Sequence, residues 1–292
     1  MIDLHTHSKY STDGCEEVSY MLELAEKLGL EYLAITDHNQ CLAYNDLKNE
    51  EVRKLFSGKI ITGVELNTKD LGIPIEILGY NIDPEKMQEL IDKTYLSVDE
   101  RNKIEVQRIY EKAINAGINL PDDFVEKYDG TIYCSKYFHN TIVKNEENKK
   151  YINENSWNDS NVFYREYMSN PKTSFYVNMD DVLPDFETAY SIVKEAGGDV
   201  FLPHIYEYRE NSERILEHIL ENYKIDGIEC YYRNFTKEQT EYLLNLCEEK
   251  GLFVSGGSDF HGRVKPHINM GTGEGTLNVP NEIVDNWKKI II

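Results

Sequence analysis

The chain has 292 residues, 40% hydrophobic and 28% charged, enough for one large core or a core with a smaller satellite. Its 52 acidic against 31 basic residues give a formal net charge of −21, a field that repels phosphate backbones and argues against long nucleic acid as a partner. No apolar run is long enough to span a membrane, no N-terminal run resembles a signal peptide, and five cysteines without Cys-x-x-Cys spacing suggest neither a disulfide framework nor a thiolate zinc site, so the expectation is a cytoplasmic protein with free thiols.

Residues 2–5 read as a short strand, and Val18, Met21, Leu22, Ala25 and Leu28 then recur at helical spacing up to Gly29. A second apolar strand over 32–36, a helical stretch over 41–56 and a third strand over 60–65 complete a β-α-β alternation, the pattern of a parallel sheet or barrel. From Pro84 to about Gly117 the chain reads as one long charged helical stretch, followed by short polar segments rich in Asn, Lys and Tyr. Alternation then resumes: helix 186–196, strand 200–202, helix 211–223, strand 227–230, helix 236–250 and strand 252–255. The expected organisation is one discontinuous β/α domain, 1–83 with 185–292, interrupted by a mainly helical insertion at 84–184.

Ionisable residues fall at the C-terminal edges of these strands. His5 and His7 end the first, with Asp13 in the following loop; Asp37 and His38 end the second; Glu65 ends the third; His204 follows the strand at 200–202; Asp259 and His261 follow the last. In a β/α barrel those edges converge on one face. A single histidine at a strand end is ordinarily a hydrogen-bonded structural residue. Five of eight histidines at such edges, accompanied by carboxylates, are not explained by packing, and imidazole with carboxylate suits zinc, manganese or iron.

Asp3-Leu4-His5-Thr6-His7-Ser8 with Ser11-Thr12-Asp13-Gly14, Ile35-Thr36-Asp37-His38, Gly63-Val64-Glu65, Pro203-His204 and Gly257-Ser258-Asp259-Phe260-His261-Gly262 resemble, in order and over nearly the whole chain, the PHP (polymerase and histidinol phosphatase) family. The resemblance implies a distorted (β/α)7 barrel, two or three divalent metal ions (Mn, Zn or Fe) and phosphoester hydrolysis by metal-bound water. Carried over residue by residue, it implies His5, His7, Glu65 and Asp259 around one metal, Asp13, His38 and His261 around another, and Glu65 with His204 at a third. Glu76 stands where the family often has histidine, as the remaining ligand of that third site. Where the family often shows Ser-Arg-x-His, this chain has Ser135-Lys136-Tyr137-Phe138-His139, which makes Lys136 a candidate phosphate contact. Arg209, close after His204, is another. Arg263, Lys265 and His267 read equally well as surface loop or pocket lining.

The layout looks most like stand-alone members that hydrolyse nucleotide phosphates, so the expected substrate is a small phosphomonoester, a nucleoside monophosphate or nucleoside 3′,5′-bisphosphate. Three alternatives stand beside it: an exonuclease on short oligonucleotides, a histidinol-phosphate phosphatase, and a non-catalytic metal-binding module. The expected partner is a small phosphorylated molecule, with no membrane; the sequence does not give the oligomeric state.

Overall fold

The first three apolar runs are regular strands for only two residues each. In the computed structural model, which describes residues 1–287 and 292, β1 (Ile2–Asp3), α1 (Val18–Leu28), β2 (Tyr32–Leu33), α2 (Ala43–Asp46), α3 (Glu50–Arg53) and β3 (Lys59–Ile60) follow in order. The three strands form a parallel sheet, β1-β2-β3. Beyond them the chain keeps pairing irregularly, with Thr36 N donating to Thr6 O at 2.8 Å, so that polar residues run alongside one another at the strand ends. The helical stretch expected over 41–56 is two short helices, divided where the Asn49 side chain caps α3.

A second sheet holds β4 (Gly63–Asp70), β5 (Ile73–Tyr80), β6 (Asp199–Leu202), β7 (Gly227–Tyr232) and β8 (Phe253–Gly257), in that order. β5 is antiparallel to both β4 and β6, while β6, β7 and β8 are parallel. A wholly parallel alternation is thus corrected to a mixed α/β fold: Leu71 and Gly72, both with positive φ, reverse the chain in a two-residue hairpin turn where no helix intervenes. Backbone bonds also run between the edges of the two sheets, from Leu4 N to Gly256 O (3.1 Å), Asp259 N to His5 O (2.8 Å) and Asn39 N to Glu65 O (2.8 Å). The close approach of β1 to β8 needs a bare α-carbon. A Cβ on Gly257 would stand 2.4 Å from His5 N.

α4 (Pro84–Thr94) and α5 (Val98–Asn115) replace the single long helix, because Ser97 and Glu100 make a capping box that starts a new one. Further helices are α6 (Cys134–Ile142), α7 (Glu154–Asn158), α8 (Ser160–Phe163), α9 (Phe186–Glu195), α10 (Ser212–Asn222) and α11 (Lys237–Lys250). The chain divides into two compact units, Met1–Tyr95 with Leu183–Ile292, and Leu96–Val182. α4 lies in the first unit, with Met87 and Ile91 buried in its core. That core also takes the apolar faces of α1, α9 and α10, through residues such as Leu22, Phe186 and Ile215. The second unit has its own core around Phe124, Phe138, Trp157 and Phe163. Among the described residues no helix is long and apolar enough to cross a membrane, and all five cysteines are free.

Candidate metal centre

Two buried aspartates hold the strand ends in place. Asp3, at the end of β1, accepts from Ser258 N (2.9 Å), Ser258 Oγ (2.6 Å) and Gly271 N (2.6 Å), tying the loop of Asp259 and His261 to the strand that leads into His5 and His7. Asp37 does the same for the next loop, accepting from Ser8 N (2.6 Å) and Ser8 Oγ (2.7 Å). Burial pushes the Asp37 carboxyl up to about 6, against the pull of those bonds.

Held this way, the side chains converge on Glu65 at the start of β4. Its Oε2 lies 3.0 Å from His5 Nε2, 3.2 Å from His7 Nε2 and 3.5 Å from His38 Nδ1, and its Oε1 lies 2.9 Å from His204 Nε2. Asp259 Oδ1 stands 3.1 Å from His7 Nε2 and 3.6 Å from His5 Nε2. Asp13 Oδ2 lies 2.8 Å from His261 Nε2. Glu76, on β5, is 3.3 Å from His204 Nε2 and 3.8 Å from His38 Nδ1. All nine expected ligands therefore meet in the first unit. Donor atoms of eight of them fall into three groups, each within 4.8 Å: His5, His7, Glu65 and Asp259; His7, Asp13, His38 and His261; and His38, Glu65 and Glu76; His204 stands outside these groups, beside Glu65 and Glu76. His7 and His38 each belong to two groups, a sharing that strand spacing does not reveal.

These residues fit divalent metal. His7 Nε2 and His38 Nδ1 are buried and have no hydrogen-bond partner although carboxylate oxygens surround them, an arrangement that costs free energy unless a cation lies between. The protonation pattern agrees. Burial alone would lower His7 and His204, but Asp259 and Glu65 carry the first up to about 9, and Glu65 and Glu76 carry the second up to about 9. Burial, with the Glu65 charge behind it, pushes Glu76 up to about 7, while burial drives His38 down to about 4. The surplus of carboxylate charge thus makes His7, His204 and Glu76 hold protons, while burial outweighs it at His38. The backbone is also held in uncommon conformations at two of these residues, with φ 24° at His204 and 57° at Asp259.

Sequence reasoning missed Glu229, Tyr232 and Arg233, and left Lys265 open between surface loop and pocket lining. Glu229, fully buried on β7, places Oε1 3.0 Å from His5 Nδ1 and accepts from His204 N through Oε2 at 2.9 Å, so it orients two of the histidines. The available signal was an acid inside the apolar run Gly227-Ile228-Glu229-Cys230. Arg233 donates to Asp259 Oδ2, which also accepts from Tyr232 Oη at 2.8 Å. Lys265 Nζ lies 2.9 Å from His261 Nε2 and 3.3 Å from Asp13 Oδ2. Arg209, by contrast, is exposed and does not line the cavity over the cluster; the short helical turn after His204 carries it outward, with φ 52°. Lys136 is exposed on α6 of the second unit, and none of the donors above belongs to that unit.

The cavity, about 230 Å³, is lined by Asp13, Glu65, Glu76, His204, Arg233 and Lys265 among others. A larger one, about 490 Å³, lies against α10 and α11 and contains none of the cluster residues. An open cavity floored by shared imidazole and carboxylate donors is the arrangement of a class, the metal-dependent hydrolases.

Comparison places the chain within that class. It matches the PHP domain over residues 3–231 and belongs to the PHP domain family, whose members are metal-dependent phosphoesterases. Similar proteins include a 5′-3′ exoribonuclease of Haemophilus influenzae (29% identical over 265 residues, 89% of each chain). A 5′-3′ exoribonuclease of Escherichia coli is 25% identical over 279 residues, 92% of this chain and 87% of that one. A phosphoribosyl 1,2-cyclic phosphate 1,2-diphosphodiesterase of Eggerthella lenta is 23% identical over 270 residues, 91% and 97%. In fold the chain is similar to an amidohydrolase structure from Chromobacterium violaceum with bound sulfate and no metal (TM-score 0.66, 21% identity, 97% of this chain and 92% of that one). A candidate metal-dependent phosphoesterase from Bifidobacterium adolescentis is similar to the same degree (TM-score 0.66, 22% identity, 97% and 93%).

Proposed function

We propose that the chain hydrolyses the terminal phosphoester of a small nucleotide, a nucleoside monophosphate or 3′,5′-bisphosphate. The observation that carries this is the cavity: at about 230 Å³ it falls below the roughly 300–1,000 Å³ of pockets that enclose a whole ligand. It suits a phosphoryl group with part of a sugar, the remainder extending outward. A second reading, stepwise removal of nucleotides from the 5′ end of short oligoribonucleotides, is supported by the relatives named exoribonucleases, which align along most of both chains.

In this proposal the three donor groups hold two or three ions, Mn, Zn or Fe, with Glu65 shared between groups and His204 completing the third. Such ions, when bound, supply positive charge for the phosphoryl oxygens and increase the acidity of water. The chain's own part is to fix the donors. Glu229 turns His5 Nε2 toward Glu65, Tyr232 occupies Asp259 Oδ2 so that Oδ1 faces the histidines, and Asp3 and Asp37 lock the loops. The two sheets are proposed as arcs of one distorted seven-stranded barrel, with β3 and β4 counted as a single interrupted strand; the backbone bonds between the sheet edges support this.

The test is product release from nucleoside mono- and bisphosphates, sugar phosphates, histidinol phosphate and short 5′-phosphorylated oligoribonucleotides, with manganese or zinc and with EDTA. Metal-dependent inorganic phosphate from a nucleotide establishes the first reading, and mononucleotide release from oligoribonucleotides the second. No product from a protein with verified bound metal overturns both.

A further inference from the structure

We propose that Arg233 is a catalytic residue, its guanidinium donating to the non-bridging oxygens of the reacting phosphoryl group. This rests on the phosphoester reading above and names the group that grips the phosphate from the protein side.

The placement begins in β7. Alternate residues of a strand share a face, yet Glu229 and Tyr232, three apart, both reach the cluster. A register shift between Glu229 and Tyr231 against β8 supplies the extra residue that makes this possible. Arg233 follows at once, at the rim, and lines the cavity beside Asp259 and Lys265.

Its side chain is held rather than free. Nη1 donates to Asp259 Oδ2, the guanidinium carbon lies 4.7 Å from the centre of the Tyr232 ring, and Nε stands 3.9 Å from Glu274 Oε1. The side chain is only 13% exposed. The loop after β8 is pressed against it: a Cβ on Gly273 would lie 2.7 Å from Arg233 Cβ, and Gly273 has φ 56°. A guanidinium has five N–H donors, and the hydrogen bond to Asp259 uses one of them. An arginine is charged at any working pH and presents its donors in a planar fork that matches phosphate. Lys265, the other cation lining the cavity, is already engaged with His261 and Asp13.

The competing account is that Arg233 only steadies Asp259. In that case its loss weakens metal binding, and phosphate binding by the metal-loaded protein stays as it was. The experiment compares Arg233→Gln, Arg233→Lys and Gly273→Ala with the unsubstituted protein for bound metal by elemental analysis, affinity for inorganic phosphate by calorimetry at saturating manganese, and turnover. The expected result for Arg233→Gln is retained metal, phosphate affinity weaker by about tenfold, and kcat/KM lower by about 10²-fold, the scale for one lost donor to developing charge. Arg233→Lys should recover part of the phosphate affinity. Gly273→Ala, which leaves every donor in the chain and displaces the arginine stem, should weaken phosphate binding with metal content intact. Phosphate affinity unchanged in metal-saturated Arg233→Gln overturns the proposal, as does a fall in kcat/KM fully restored by added manganese. Calorimetry needs no turnover. A protein that binds phosphate through Arg233 and hydrolyses nothing in the nucleotide panel therefore sinks the nucleotide reading and leaves this one standing.

Discussion

Glu229 touches none of the proposed metal positions directly, yet one carboxylate holds the ring of His5 and the backbone of His204. Replacing it with glutamine keeps the shape and removes the charge that fixes the His5 tautomer. Outer partners of this kind are worth about 10–100-fold in metal affinity, so Glu229→Gln should bind manganese about that much more weakly, measured by competition with a chelator; unchanged affinity would make Glu229 a packing residue. Protonation gives a second expectation. His7 and His204 are raised from 6.5 to about 9 in the metal-free protein, so the folded chain retains protons that the unfolded chain loses above 6.5. That contribution is whole below pH 6.5 and is lost as pH rises through 9. Glu76, raised from 4.5 to about 7, acts in the same sense at lower pH. Urea midpoints in EDTA should therefore fall between pH 7 and 9, and manganese, which requires neutral imidazole, should reverse the trend. Equal metal-free midpoints would contradict the protonation scheme. At this scale the convergence of the candidate donors was legible because most of them sit near a strand end in a spaced motif, whereas Glu76, inside β5, came from the resemblance alone. Glu229 and Arg233 were not, and Lys265 was left open, since a lone charge in the sequence does not reveal whether it is buried, and burial is what compels it to take a partner.

Among the elements, helix ends follow written signals: Ser97 with Glu100 and Thr236 with Gln239 form capping boxes, and Gly29 and Gly251 close α1 and α11. Strand extents were harder to read. β1, β2 and β3 are short because their apolar runs give way to polar residues that pair irregularly, and β5 was hidden because a two-residue turn looks like part of one strand's polar end. The most exacting contact between elements is that of β1 with β8. Gly257→Ala would force a methyl against the His5 backbone and should destabilise the protein by ~1–3 kcal/mol, the usual range for overpacking, and lower metal affinity at the same time. Urea unfolding and metal titration check both effects, and a neutral outcome in both would show that the two strands are free to separate.

For the molecule as a whole, charge and site pull in opposite directions. A net charge of −21 repels an anionic substrate at long range, while the metal proposed for the cavity, with Arg233 and Lys265 on its lining, would supply positive charge at short range. Screening removes the first effect before the second, so kcat/KM for a mononucleotide should hold or rise between about 50 and 200 mM salt. A protein that tracks a nucleic-acid backbone loses about 10³–10⁵ in affinity over the same range, and a fall of that size would point to a long-polymer substrate. Charge alone does not tell which core α4 joins: its Met87 and Ile91 are buried in the first.

The junction of β1 with β8 also gives the molecule a history. His5 and Asp259 stand far apart in sequence, on either side of β2 to β8, and the donor group that joins them exists only when both are present. Contacts this distant in sequence form late. A nascent chain that has reached β7 still lacks Asp259 and His261, so synthesis itself postpones the assembly of the donor cluster until β8 and the loop after it have emerged.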